Sequence, residues 1–218
     1  AHVVKQRDLQ SLLLDRGAEV NTVEKRMGQT ALMWAAAEGY PEITRLLIAR
    51  GANVNAVSKN GYNALLLAAQ KGDVESVKAL IAAKVDPHYK AADGNTPFLL
   101  ALGRGHEAVA MLLLEHGADV NSRDGDGATP LHEAASQGKI ALARELVARG
   151  ADLNARTEDI ASRRNFFRST GLTPFLSAAR AGNPEMMKEW IALGADPKAK
   201  APDGAGAVLL ATQSRKLA

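Results

Sequence analysis

The sequence predicts an all-α protein: a solenoid made by stacking one helix-turn-helix unit many times, with hairpin loops between units. Two spacings carry this reading. Gly28, Gly61, Gly94 and Gly127 stand 33 residues apart, and Gly51, Lys84, Gly117 and Gly150 keep the same step. A fixed period in this range marks a repeat architecture in which each unit buries its apolar face against the next. A third observation is that each interval runs in the same order: turn, short helix, glycine stop, longer helix, glycine stop.

The short first helix is read from a shared phrase. It appears as Gly28-Gln29-Thr30-Ala31-Leu32, Gly94-Asn95-Thr96-Pro97-Phe98, Gly127-Ala128-Thr129-Pro130-Leu131-His132 and Gly171-Leu172-Thr173-Pro174-Phe175. Threonine at the N-cap can accept a hydrogen bond from an early backbone N–H, and proline suits the first helical position, where the N–H has no partner inside the helix. The pairs Ala35-Ala36, Ala68-Ala69, Ala134-Ala135 and Ala178-Ala179 allow a second helix to approach closely. Gly39, Gly72, Gly105, Gly138 and Gly182 follow as stops.

The second helix is amphipathic. In Pro41-Glu42-Ile43-Thr44-Arg45-Leu46-Leu47-Ile48, residues Ile43, Leu46 and Leu47 share one face at i, i+3, i+4. It stops at Gly51-Ala52-Asn53-Val54-Asn55, with counterparts at Gly17, Gly117, Gly150 and Gly194. Glycine takes the left-handed conformation there without steric cost. The turn-rich stretch before the next Gly-x-Thr suits an outstretched hairpin.

Gly-x-Thr-Pro-Leu-His, the alanine pair, the mid-repeat glycine and Gly-Ala-Asp-Val-Asn occur in register along nearly the whole chain, and in this the sequence resembles ankyrin-repeat proteins. Five complete units start near Lys25, Ser58, Ala91, Asp124 and Ser169. The expected organisation is one domain over 1–218: a partial repeat at 1–24, repeats at about 25–57, 58–90, 91–123, 124–168 and 169–201, and a partial repeat at 202–218. The stretch from Gly28 to Ala37 also resembles ankyrin proteins of environmental bacteria. The resemblance implies a right-handed solenoid whose first, inner helices and hairpin tips form a concave surface, commonly used to bind other proteins.

Composition fits a folded chain: 46% hydrophobic and 23% charged residues, a net charge of +3 and no cysteine. Disulfides, thiolate catalysis and cysteine-ligated zinc are thereby excluded. No apolar run approaches the roughly 18 residues needed to cross a bilayer, so membrane insertion is not expected. No signal peptide or lipidation motif is visible, and the compartment stays open. Asp8 to Leu14 matches only an outer helix, and Gly204 to Ala218 resembles an inner helix alone. This is expected either of a module cut from a larger protein or of short disordered ends.

One interruption breaks the period. Gly127 to Gly171 and Gly150 to Gly194 are each 44 residues, so 11 residues are inserted after Asn154, in a loop from about Arg156 to Thr170. The loop contributes +2 of the net charge and holds Phe166 and Phe167. Insertions in repeats map to loops on one face, often the binding face. Arg163, Arg164 and Arg168 are therefore candidates to meet acidic groups on a partner, with Phe166 and Phe167 as anchors. The alternative is that the rings fold back on neighbouring repeats and the arginines solubilise the tip.

A second candidate surface follows from the resemblance. The residue before each alanine pair, or before Ala101-Leu102 in the third repeat, is Trp34, Leu67, Leu100, Glu133 and Ser177 in successive repeats, so this stripe is apolar in the first three. Around it the family pattern places Arg26, Met27, Gln29, Lys59, Asn60, Tyr62 and Arg104. An apolar stripe with a basic rim is what a protein-binding groove would look like. The competing reading is that Trp34 and Leu67 pack between inner helices. Trp190, at the place of Leu46, is expected in the core, and His132 in a hydrogen-bonded loop network. Lys84, where the repeat calls for glycine, is expected to adopt a left-handed conformation at a cost of roughly a kcal/mol.

Catalysis is not expected. The five histidines form no His-Glu-x-x-His, and there is no phosphate-binding glycine loop and no Gly-x-Ser-x-Gly. No cofactor and no metal site is expected. Basic residues are interleaved with acidic ones rather than striped, so nucleic acid is not the expected partner. The expectation is a non-catalytic scaffold, monomeric by itself, that binds a protein through the groove and loops. The alternative is a regulatory or docking domain of a larger enzyme.

Overall fold

The computed structural model describes residues 2–158 and 171–213. Among them are twelve helices and no strand, the only sheet-like pairing being two isolated bridges, Val23 to Thr30 and Lys200 to Gly206. The all-helical repeat architecture read from the sequence is thus the observed one. The chain divides into two compact units, 1–118 and 119–218.

The first unit begins with α1 (His2–Asp15), the outer helix expected from Asp8 to Leu14 extended by a turn and a half toward the N-terminus. Three helix pairs follow: α2 (Ala31–Glu38) with α3 (Pro41–Ala49), α4 (Ala64–Lys71) with α5 (Val74–Ala82), and α6 (Pro97–Gly103) with α7 (Glu107–Glu115). The first helices pack side by side in the order α2, α4, α6, and the second helices in the order α1, α3, α5, α7. Between the two rows lies a core of small and aliphatic residues, with Leu65, Leu66, Ala68, Ala69, Val77 and Leu80 fully buried around α4 and α5.

The second unit contains α8 (Pro130–Gln137) with α9 (Ile140–Ala148), α10 (Pro174–Ala181) with α11 (Pro184–Ala192), and α12 (Ala207–Thr212). Here α10 packs between α8 and α12. Trp190 on α11 is fully buried, in the core as its register predicts, and its indole N–H has no hydrogen-bond partner among the described residues.

The helix starts are set by the residues the sequence nominates. The side chains of Thr30, Asn63, Thr96 and Thr173 accept from the backbone N–H three residues on, at 3.3, 2.9, 3.2 and 3.3 Å. Each satisfies a donor that the helix leaves open. At the helix ends, Lys84 is the one non-glycine residue with positive φ among the described residues, at 66°.

One hairpin glycine is required twice over. Gly127 has φ 71°, and a Cβ there would lie 2.6 Å from the backbone nitrogen of Glu158 in the next hairpin. That nitrogen donates to the Asp126 carbonyl at 3.1 Å, as Lys59 N–H donates to the Met27 carbonyl at 2.8 Å. These two pairs of hairpins are therefore joined backbone to backbone, and at Gly127 a side chain would break the contact.

The base of the interrupted hairpin keeps the regular pattern. Thr157 N–H donates to the Leu172 carbonyl at 3.0 Å, the bond that Asp124 makes to Ala128 at 3.1 Å one repeat earlier. Arg156 Nη1 donates to the carbonyls of Gly171 (2.7 Å) and Lys200 (3.2 Å). Arg123 does the same for Gly127 (3.1 Å) and Arg156 (2.7 Å). Arg156, Thr157 and Glu158 thus make the bonds of the repeating hairpin.

Candidate partner-binding face

In the 1–118 unit, Trp34, Leu67 and Leu100 occupy the same place on three adjacent helices, α2, α4 and α6. Trp34 is 53% exposed, and Leu67 and Leu100 are half-buried. The Trp34 ring is therefore not core. Its helix buries Leu32, Met33, Ala35 and Ala36 instead and leaves the indole outside. In the 119–218 unit the corresponding Glu133 is half-buried and Ser177 is buried.

The hairpin tips beside the stripe are built from fixed parts. The Glu24 carboxylate accepts the backbone N–H groups of Arg26 (2.6 Å), Met27 (2.6 Å) and Gln29 (3.1 Å). The bond from Gln29 is the leading reason its pKa lies below the ordinary carboxylate value. This turn holds Arg26 exposed and Met27 half-buried. Lys59 is exposed but committed: besides its backbone bond to Met27, its ammonium donates to the Lys25 carbonyl.

Tyr62 is half-buried, and its hydroxyl donates to Asp93 Oδ2 at 2.8 Å while accepting from Asn95 Nδ2 at 3.2 Å. Asn95 Nδ2 also reaches Asp93 Oδ2 at 2.9 Å. Burial raises the pKa of the phenol, the Asp93 bond adds to this, and the Arg104 guanidinium opposes it, which places that cation within electrostatic reach of Tyr62. Burial also pushes the Asp93 carboxyl upward, but the hydrogen bonds from Asn95 and Tyr62 outweigh it and leave the pKa lowered. The Tyr62 hydroxyl thus joins two hairpin tips.

Asp93, Asn95 and Lys71 are members of this face that sequence reading missed. The signal was the period itself: Asp93 stands 33 residues after Asn60, and Lys71 33 before Arg104. Lys71 and Arg104 are exposed at the ends of α4 and α6, as Glu38 is at the end of α2. Arg163, Arg164, Phe166, Phe167 and Arg168 lie outside the described residues.

His132 is buried in α8 and fully engaged. Its Nδ1 lies 3.1 Å from the Thr129 backbone N–H and 2.8 Å from the Thr129 hydroxyl, and its Nε2 is 2.9 Å from the Leu172 carbonyl. The tautomer that fits carries its proton on Nε2, donates to Leu172 and accepts at Nδ1. Burial is the main reason its pKa is lowered. The ring is a strut between two repeats. Among the described residues no group of three histidine or acidic side chains could hold a metal ion, and no helix is long and apolar enough to cross a membrane.

A family profile described as ankyrin repeats (3 copies) matches residues 2–91 and 65–157, and a second, ankyrin repeats (many copies), matches 131–188. The rat protein "Ankyrin repeat and SAM domain-containing protein 6" is 40% identical over 62 residues, which is 28% of this chain and 7% of that protein's length. The human ASB11 ankyrin repeat domain has a solved structure similar in fold, with a TM-score of 0.80 at 23% identity, covering 96% of this chain and 88% of that one. With its repeating hairpins and helix pairs spanned by these profiles, the chain belongs to the ankyrin-repeat family.

Proposed function

We propose that the chain is a non-catalytic scaffold that binds a protein partner through the first-helix face and hairpin tips of the 1–118 unit, helped by the inserted loop. The observation that carries this reading is Trp34, a large aromatic side chain 53% exposed at the head of the Trp34, Leu67, Leu100 stripe. Exposed aromatic groups on a rigid surface are typical binding anchors, because two side-chain torsions are all that need be fixed. Arg26, Met27, Lys59, Tyr62 and Arg104 frame that anchor. On this reading Phe166 and Phe167 add apolar contacts, and Arg163, Arg164 and Arg168 meet acidic groups. The whole array acts as one domain, monomeric by itself, and the wording around Trp34 supports a bacterial source.

A second reading is a regulatory or docking domain of a larger multidomain enzyme. Only its multidomain part has support, from the rat relative, whose name joins ankyrin repeats to a SAM domain and of which this chain matches 7%.

The test is affinity capture from source extract with the wild-type chain and with Trp34→Ala. A partner retained by the wild type is expected to be lost with the variant, whose thermal midpoint stays within about 2 °C of wild type because the ring is exposed. Equal retention by both would sink the reading.

A further inference from the structure

We infer that the face of the 1–118 unit takes an extended acidic segment of a partner protein that carries one apolar side chain. The apolar group sits against Trp34, and the carboxylates meet Arg26, Lys71 and Arg104. This rests on the proposed use of that face for binding and adds the chemistry of what is bound.

Pairing of charges gives the first argument. On the outer helices, Arg45 pairs with Glu42 and Glu75, Lys78 with Glu75, and Arg50 with Asp15. Arg26, Lys71 and Arg104 are exposed and make no ion pair among the described residues. Against them stand two exposed anions, Glu38 and Asp93. Asp93 is already answered by Tyr62 and Asn95. The face therefore offers net positive charge beside an apolar anchor, complementary to an acidic ligand.

The repeat framework does not need these cations, which is the second argument. One period on from Lys71 and Arg104 stands Gln137, and the next repeat has Ala181 in that place. Asp126 and Glu133 occupy the tip and stripe positions in the 119–218 unit. That unit folds on the same plan without the basic residues, so they are not required by the helix pairs themselves.

Dimensions and chemistry select a peptide. Neighbouring helices pack about 8–10 Å apart, so three stripe positions span about 20 Å, and an extended chain rising about 3.3 Å per residue covers that with about six residues. Leu67 and Leu100 suit an aliphatic or aromatic side chain. A nucleic acid strand would ask for successive aromatic platforms. Here Trp34 stands alone, since the Tyr62 hydroxyl is bound to the next hairpin.

The experiment titrates the full chain with end-blocked peptides of about eight residues: alternating Glu and Asp around a central Leu, the same with Lys for the acids, and the acidic one with Ser at the centre. An oligothymidine of similar length is the fourth ligand. Tryptophan fluorescence is the readout. The chain has two tryptophans, and Trp190 is fully buried, so a ligand-induced change reports Trp34. The acidic Leu peptide is expected to bind best, to weaken about tenfold in about 0.5 M salt, and to weaken about fivefold for each of Lys71→Glu and Arg104→Glu. Both substitutions are at exposed positions, and circular dichroism verifies the fold. Stronger binding of the lysine peptide or of the oligonucleotide overturns the inference, as does no binding of the acidic Leu peptide or binding indifferent to both charge reversals. In any of those cases, loss of a captured partner with Trp34→Ala would still uphold the binding face itself, so the two failures are distinguishable.

Discussion

His132 illustrates how a residue type that suggests chemistry is used here for construction. It is the one histidine that keeps the family's place in the repeat phrase, and it closes α8 on itself through Thr129 while reaching Leu172 beyond the inserted segment. Because burial lowers its pKa from the ordinary 6.5, the unfolded chain binds this proton more readily than the folded one. The stability contributed by the neutral ring is therefore fully present above about pH 6.5 and is lost as pH falls toward and through the folded-state pKa. Urea unfolding of wild type and His132→Gln between about pH 7.5 and 5 tests this. The variant is expected to be about 1–2 kcal/mol less stable at the upper end, through lost hydrogen bonds, and to lose less stability on acidification. Parallel pH profiles would remove His132 as the source.

At the scale of elements, helices were the most legible part of the sequence, because each start and stop is a local decision by one or two residues. Thr30, Thr96 and Thr173 cap as their phrases suggest, and Asn63 replaces threonine without loss of the bond. Lys84 stands where the other second helices have glycine, and its φ of 66° is the conformation the period demands. Lys84→Gly is expected to stabilise by about 0.5–1 kcal/mol: relief of about 1–2 kcal/mol of left-handed strain exceeds the extra freedom given to the unfolded chain. A rise in urea midpoint with unchanged slope is the expected result, and a fall would mean the exposed lysine is not strained. Less legible were the hairpins, where function-bearing and structural residues share one composition. Arg156 looks like loop charge, yet its guanidinium is spent on two carbonyls. Only Arg123 repeats that role among the preceding hairpins, and the insertion hides the spacing. The bracing of Tyr62 is hidden for a related reason: its partner Asp93 comes from the next hairpin, a pairing that no spacing within one repeat reveals.

At the scale of the whole molecule, the question is whether two compact units behave as one domain. The division falls between Ala118 and Asp119, inside the phrase Gly117-Ala118-Asp119-Val120-Asn121, with no proline-, glycine- or serine-rich linker and no break in the 33-residue period from Gly94 to Gly127. Repeat arrays draw their stability from nearest-neighbour interfaces, and cooperativity propagates as long as those interfaces are comparable. The chain supplies its own reporters. In a Trp34→Phe variant the remaining tryptophan, Trp190, is fully buried in α11 and follows the 119–218 unit. Circular dichroism follows helices of both units. One-domain behaviour predicts coincident urea transitions by the two probes, with equal midpoints and slopes. A fluorescence midpoint separated from the circular dichroism midpoint would instead make Ala118–Asp119 a true domain boundary. The binding face of the first unit could then be studied apart from the second.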